Sequence, residues 1–397
     1  MNSRQKETLL LGDCVNHILD FRGRTPTKLN MKWGGGKIPA LSANNVRDGY
    51  IDFEKECYLG SEELYEKWMT KGESKKGDIV FTMEAPMGNV AQIPDDKKYI
   101  LSQRVVLLSP KEEIINVNYL YHFMRSDIFR NQCRDFATGT TAKGIKQSNL
   151  VLTKVKVPPL PEQKKIAEIL SGIDHAISTI SKKQKKINFI LSQLIIDSTT
   201  PQGSSAWRVT TIGENVDFQG GSQPPRSTFK FAPEEGYIRM LQIRDYKSDS
   251  RATYIPLNLC RRFCDKEDVM IGRYGPPNFQ ILRGKEGSYN VALIKAIPKN
   301  EKELKKEYLF RFLQRRDLFL LMDALSQRTS GQQGLDMDAL KEFPISLPDP
   351  SMQERICKSL AAIESISLEL QHLKQSLGHL KSGISDQLLS GRKRVHT

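Results

Sequence analysis

Few of the polar side chains in this chain are spaced for catalysis. The string Gly275-Pro276-Pro277-Asn278 comes nearest to the Asn/Asp-Pro-Pro-Tyr loop of an amino-methyltransferase, and its order is wrong. Gly34-Gly35-Gly36-Lys37 reads as a mobile turn, or else a loop near DNA phosphates, and not as a nucleotide phosphate loop, because Ile38 follows the lysine and the spacing fails. Pro94-Asp95 and Pro348-Asp349 are not followed by the Glu-x-Lys that a nuclease metal site needs. The six histidines are scattered, and the six cysteines contain no Cys-x-x-Cys pair. Cys260 and Cys264 alone do not make a zinc site. The sequence therefore predicts no catalytic residue, metal or cofactor in this chain, and reduced thiols of a cytoplasmic protein.

What remains is side chains able to read base edges and phosphates: Arg, Lys, Asn, Gln, Thr and Glu carried by loops. In the first half the candidates are Arg22, Arg24, Lys28, Lys32, Lys37, Asn44, Asn45, Arg47, Glu84, Thr140, Thr141, Lys143 and Lys146. In the second half they are Arg226, Lys230, Arg239, Gln242, Arg244, Lys247, Arg273, Tyr274, Asn278, Gln280, Arg328, Gln332 and Gln333. Each alone reads first as solvated surface; as a set they carry more weight, because they lie in loops where the two halves of the chain differ. The net charge of +14 favours a polyanionic partner. No apolar run reaches transmembrane length, and MNSRQKETLL lacks the pattern of a signal peptide, so no membrane partner is expected.

The elements that must position these loops start with a long helix from about residue 160 to 199. Ile166, Leu170, Ile173, Ile177, Ile180, Ile187, Leu191 and Leu194 recur at heptad steps, interrupted by Gln184. Lys182, Lys183, Lys185 and Lys186 flank that glutamine and read as a solvated face, or as contacts to phosphates or partner subunits. So narrow a seam needs a partner helix. A second run from about 350 to 391 supplies it, with Ile356, Leu360, Ile363, Ile366, Leu370, Leu373, Leu377, Leu380, Ile384 and Leu388. Ser351 and Glu354 predict a capping box for this helix, Gly391 its end, and Arg392-Lys393-Arg394 a disordered tail.

The two helices belong to a duplication. Pro158, Gln163, Ile166 and Leu170 recur at an offset of 190 as Pro348, Gln353, Ile356 and Leu360. KGDIVF at 76–81 is echoed by KEDVMI at 266–271, and NYLYHFMRSDIF by EYLFRFLQRRDLF. The copies differ most across 22–45 against 219–244, and across 83–92 against 273–282. Within the first copy, short strands are predicted at 38–41, 50–53, 78–82, 90–93, 105–109 and near 151–158. Helices are predicted over 61–69 and over 117–132 as one segment. Residues 198–207 read as a linker. The division is two globular domains at 1–159 and 200–349, long helices at 160–199 and 350–391, and a basic tail at 392–397. Each helix of about 38 residues would span roughly 57 Å, so an antiparallel pair could hold two readers on one duplex.

PLPEQKKIAEIL at 159–170, with KGDIVFT, LSQRVVLL and TGTTAKGI, resembles the specificity subunit of type I restriction-modification systems, a host-defence family, over essentially the whole chain. The second copy departs most, with Ser351-Met352 in place of Pro161-Glu162 and GQQGLDMDAL as a weakened Thr-rich loop. The resemblance implies a mixed α/β fold: two similar target-recognition domains joined by two long antiparallel helices. It implies that each domain reads one half of a bipartite double-stranded DNA site, without catalysis. It further implies docking of two modification (methyltransferase) subunits that use S-adenosylmethionine, and of restriction subunits that use ATP and Mg, in a bacterial or archaeal cytoplasm. The rival reading is a coiled-coil scaffold with two protein-binding domains.

Overall fold

The computed structural model describes residues 8–139, 143–201, 207–275, 277–328 and 334–395, the side chains of 327 and 328 excepted. The chain forms two compact units: Met1–Ile180 with Leu373–Thr397, and Ser181–His372. Each unit takes about half of each long helix along with its globular domain.

In the first unit a four-stranded antiparallel sheet runs in the order Val15–Asp20, Val105–Pro110, Ile79–Thr82, Val90–Gln92. Side chains alternate across such a sheet, and here both faces are covered. Ile79, Phe81, Val106 and Leu108 pack with the helices; Val80, Val105 and Leu107 face a second core around Trp68 and Leu101. That is why VVLL reads as a continuous apolar run. A second sheet, Leu59–Gly60, Ile38–Leu41 and Ile100–Leu101, lies across that second core. The predicted strand at 50–53 is only Tyr50–Ile51, paired with Val46–Arg47, and the one near 151–158 is only Lys154–Lys156, paired with Thr8–Leu10.

The predicted helix over 117–132 is two, Val117–Arg125 and Asp127–Asp135. Ser126 takes an extended conformation (φ −72°, ψ 156°), closes the first helix by donating to Phe123 O at 2.6 Å, and caps the second at Phe129 N. The second unit repeats the plan. Its main sheet runs Val216–Gly220, Leu293–Pro298, Val269–Gly272, Gln280–Leu282, and its helix pair is Lys306–Leu313 and Arg316–Arg328.

The long helices are Leu160–Ser198 and Pro350–Leu389. The expected Ser351–Glu354 box does not cap the second. Asp349 does, accepting from Met352 N at 3.0 Å and from Ser351 Oγ at 2.5 Å. Within each unit the two helix halves run antiparallel. In the first, Ile166 and Leu170 share a core with Leu388 and Leu389, and Lys381 meets Asp174 at 2.6 Å. In the second, Gln184 Nε2 donates to Ser367 O at 3.3 Å, and Ser367 Oγ donates to Asn188 Oδ1 at 2.6 Å.

All the other seam positions (Ile173, Ile177, Ile180, Ile187, Leu191, Leu194, Ile356, Leu360, Ile363, Leu370, Leu377 and Ile384) are buried or half-buried. Ile366, Leu373 and Leu380 are the exception. They are 47, 49 and 52 % exposed, because the seam passes instead through polar Ser367 and Lys381.

The tail is not a loose end over its described part. Arg394 clasps the buried Glu162 carboxylate with Nε at 2.8 Å and Nη2 at 2.7 Å, and Val395 N donates to the same group at 3.2 Å.

Candidate nucleic-acid interface

In the first unit, segment 22–47 leaves the edge strand Val15–Asp20 and wraps the second core. Several candidate readers there are occupied by the domain itself. Arg22 donates from Nε to both Asp20 oxygens at 2.9 and 3.0 Å. Burial raises the Asp20 pKa, but the hydrogen bonds from Arg22 outweigh it and the net shift is downward. Arg24 donates to the carbonyls of Trp68 and Lys67 and to Thr70 Oγ1, and lies over the Phe21 ring at 5.1 Å. Asn45 is fully buried, with Oδ1 accepting from Ser42 N at 2.7 Å. Arg24 and Asn45 are thus scaffold in this conformation; Asn45 cannot reach a base because no part of it meets solvent.

The others in that segment face outward. Lys28 reaches Gly23 O at 2.7 Å, Asn44 reaches Glu56 O at 3.3 Å, and Arg47 stands 3.8 Å from Asp52. Lys32 and Lys37 are exposed and make no ion pair among the described residues. A separate junction joins two predicted loops. Glu84 bridges Gly144, and Ile145 N donates to Met83 O at 3.0 Å, so loop 83–89 lies beside exposed Lys143 and Lys146. Glu84 is exposed, with Arg104 Nε 3.5 Å away. Thr140 and Thr141 lie outside the described residues.

In the second unit the same bookkeeping separates anchors from free donors. Arg239 pairs with Asp249 and stands 4.0 Å from buried Asp245. Asp245 in turn accepts from Gln242 N at 2.7 Å, and Gln242 Nε2 reaches Thr253 Oγ1 at 3.2 Å. Asn278 donates to Ser326 Oγ at 3.1 Å and Gln280 to Pro277 O at 3.0 Å. Arg226, Lys230, Arg244 and Lys247 are exposed; Lys230 is 3.3 Å from Glu234, and Arg244 touches Arg251 O at 3.4 Å. Arg273 is half-buried against Tyr274, ring centroid 5.5 Å away, and its Nε is buried with no partner among the described residues. Tyr274 itself is 42 % exposed. Gln332 and Gln333, and the side chain of Arg328, lie outside the described residues.

Sequence reasoning missed several exposed groups beside these loops: Tyr58, Gln103, Phe231, Arg261 and Arg262. For Phe231, Arg261 and Arg262 the available signal is an aromatic or basic residue in a loop of the second copy; Tyr58 and Gln103 carry none in the sequence.

A charged cluster docks the first domain on its helix halves. Arg125 Nη1 donates to Asp174 at 2.7 Å, Lys381 to the same carboxylate at 2.6 Å, and His122 Nε2 lies 2.9 Å from Ser171 Oγ. Burial, reinforced by the Lys381 and Arg125 charges, pushes the His122 pKa down to about 3, so its ring is neutral near pH 7. Its counterpart in the second unit is Arg311, fully buried and 2.8 Å from Glu364. Lys182, Lys183, Lys185 and Lys186 are all exposed, with no ion pair among the described residues, and Phe189 beyond them is 65 % exposed.

A model of the type I restriction modification DNA specificity domain matches residues 5–189 and again 204–377. The putative type I restriction enzyme MjaX specificity subunit of Methanocaldococcus jannaschii is 24 % identical, covering 96 % of this chain and 94 % of its own. The MjaVIII specificity subunit of the same organism is 23 % identical, over 98 and 93 %. Among solved structures, the S subunit of a type I restriction-modification system from M. genitalium aligns with a TM-score of 0.56 at 13 % identity, over 98 % of this chain and 97 % of that one. A chain from a type I R-M assembly aligns at 0.58 and 18 % identity, over 96 and 97 %. These two alignments bear on the fold alone.

Proposed function

Because this chain belongs to the family of type I restriction modification DNA specificity proteins, we propose that its two recognition domains each read one half of a bipartite DNA site. The chain is a specificity subunit with a mixed α/β fold and two such domains, and its role in that family is recognition rather than catalysis. The observation that carries the half-site reading is the double match, at 5–189 and 204–377, together with a repeated scaffold whose exposed donors differ between copies. Two similar frames with different loop chemistry suit two different sequences on one ligand.

In this reading the long helices are the spacer and the docking platform. In the first unit the exposed Leu373 and Leu380 support docking of a partner helix, since large apolar side chains at heptad spacing are rarely left to water. Two modification subunits and the restriction subunits are the partners, bringing S-adenosylmethionine, ATP and Mg. The site of action is the bacterial or archaeal cytoplasm.

The test is a domain exchange. Replacing residues 1–159 with the corresponding domain of another family member should change one half of the methylated sequence, read by methylation-sensitive sequencing of DNA from cells that also express the modification subunit. A change in both halves, or in neither, sinks the two-reader model. A purely structural scaffold predicts little salt dependence, whereas a reader with several phosphate contacts loses affinity steeply from low to moderate salt.

A further inference from the structure

Trp68, Trp33 and Tyr58 form a column of rings in the first unit. Trp68 is 1 % exposed and donates from Nε1 to Leu101 O at 2.9 Å, so the base of the column is fixed. Trp33 leans against it with centroids 5.3 Å apart and planes tilted by 41°, and Tyr58 stacks on Trp33 at 5.3 Å with planes 7° from parallel. Tyr58 is 61 % exposed, so the column ends in an aromatic ring held from behind and open in front. It borders a cavity of about 570 Å³ whose wall also carries Lys32, Asn44 and Gln103. All three are exposed, and they supply a cation and amide donors and acceptors.

An intact duplex does not match this surface. Its grooves present base edges and methyl groups, while the base faces are hidden in the stack. An open aromatic ring backed by two others is a surface for another π face, and amides beside it suit the hydrogen-bonding edge of a base. We infer that Tyr58 is the outer ring of a stacking platform for a single nucleobase that has left the duplex stack, within the half-site of the first recognition domain. The inference rests on the DNA reading proposed above.

The platform is particular to the first copy. Tyr58 O accepts from Ala40 N at 2.8 Å, and in the second unit Thr253 O accepts from Met240 N at 2.8 Å. The register position of Tyr58 is therefore held in the second unit by Thr253, a buried residue with no ring. An effect confined to one half-site follows.

The experiment uses the chain assembled with its modification subunits and duplexes carrying the cognate site, intact or with one abasic position at a time. Tyr58→Ala should weaken binding of the intact duplex roughly 5- to 150-fold, the range for losing one base–aromatic stack, and Tyr58→Phe should bind as the native chain does. At one abasic position, in the first half-site, the Tyr58→Ala loss should vanish, because the base that stacked is already gone. Equal losses at every abasic position, or no loss on the intact duplex, overturn the platform while leaving DNA reading intact. A loss of subunit assembly without loss of DNA affinity also overturns it, and assigns the ring to a protein partner. A native complex that does not prefer the cognate duplex to a scrambled one sinks the DNA reading, and the platform with it. Because Tyr58 is mostly exposed, its removal opens no core cavity, and circular dichroism of the variant checks the fold.

Discussion

Gln163 and Gln353, 190 residues apart, make the same three hydrogen bonds in their respective units. Gln163 Oε1 accepts from Asn116 N at 2.7 Å, and its Nε2 donates to Ile114 O at 3.1 Å and Pro158 O at 2.7 Å. Gln353 Oε1 accepts from Lys305 N at 3.0 Å, and its Nε2 donates to Glu303 O at 2.7 Å and Pro348 O at 2.9 Å. Both side chains are fully buried. Each ties the start of a long helix to the loop that opens the domain's helix pair.

Replacing either glutamine by leucine leaves a buried amide and two carbonyls without their partner. Each variant should lose roughly 1–3 kcal/mol of stability. Hydrogen exchange reports it locally: Gln163→Leu should speed exchange at Asn116 and leave Lys305 protected, and Gln353→Leu the reverse. Equal deprotection of both amides by one variant would contradict independent anchoring.

Acid should loosen the first unit through His122. Its pKa is about 3 in the folded protein against an ordinary value of 6.5, so the unfolded chain binds the extra proton between those values. Stability therefore rises with pH across that window and is lost as pH falls from about 6.5 toward 3. Asp174, held low against its burial by Arg125 and Lys381, adds a loss of the same sign at the acid end. Urea midpoints at pH 5 and pH 8 should differ in the native chain, and the gap should shrink in His122→Gln. An unchanged gap would remove His122 from the account.

Arg394→Ala should destabilise the first unit by about 1–3 kcal/mol. It leaves the buried Glu162 carboxylate without its clasp, and the cost stays below that of a fully buried pair because the Arg394 side chain is 47 % exposed. A double-mutant cycle with Glu162→Gln checks it: a coupling near zero would mean that the Arg394–Glu162 pair does not hold the tail.

Arg273→Ala should relax one base position in the second half-site, at a discrimination cost of about 1–3 kcal/mol if the guanidinium reads guanine. Its Nε, buried beside Tyr274 and without a partner among the described residues, is the structural reason to expect a ligand there. Competition binding against duplexes varied at each position provides the measurement. Uniform weakening across all sequences would assign Arg273 to a phosphate instead.

The heptad seam, the repeat and the absence of spaced catalytic groups were legible because they depend on periodicity and order, which a sequence carries directly. So was the polar break at Gln184, whose amide meets Ser367 across the seam. Local chemistry without its surroundings misled in three places. Asp349 rather than Ser351 caps the second long helix, Ser126 splits a helix that apolar spacing joins, and the basic tail folds back onto Glu162. Each outcome turns on which donor meets which acceptor in space.

The binding candidates show the same limit more sharply. Composition selects side chains whose chemistry can meet bases and phosphates. It could not tell that Arg24 is bound to the Trp68 carbonyl, that Asn45 is sealed, or that Tyr58 ends an aromatic column. The sequence by itself determined a duplicated α/β reader on two long helices, since an amphipathic period and a repeat are properties of the chain. Only tertiary structure decided which donors remain for a ligand, because a hydrogen bond satisfied inside the domain is no longer available outside it, and that is settled by distances between residues far apart in sequence.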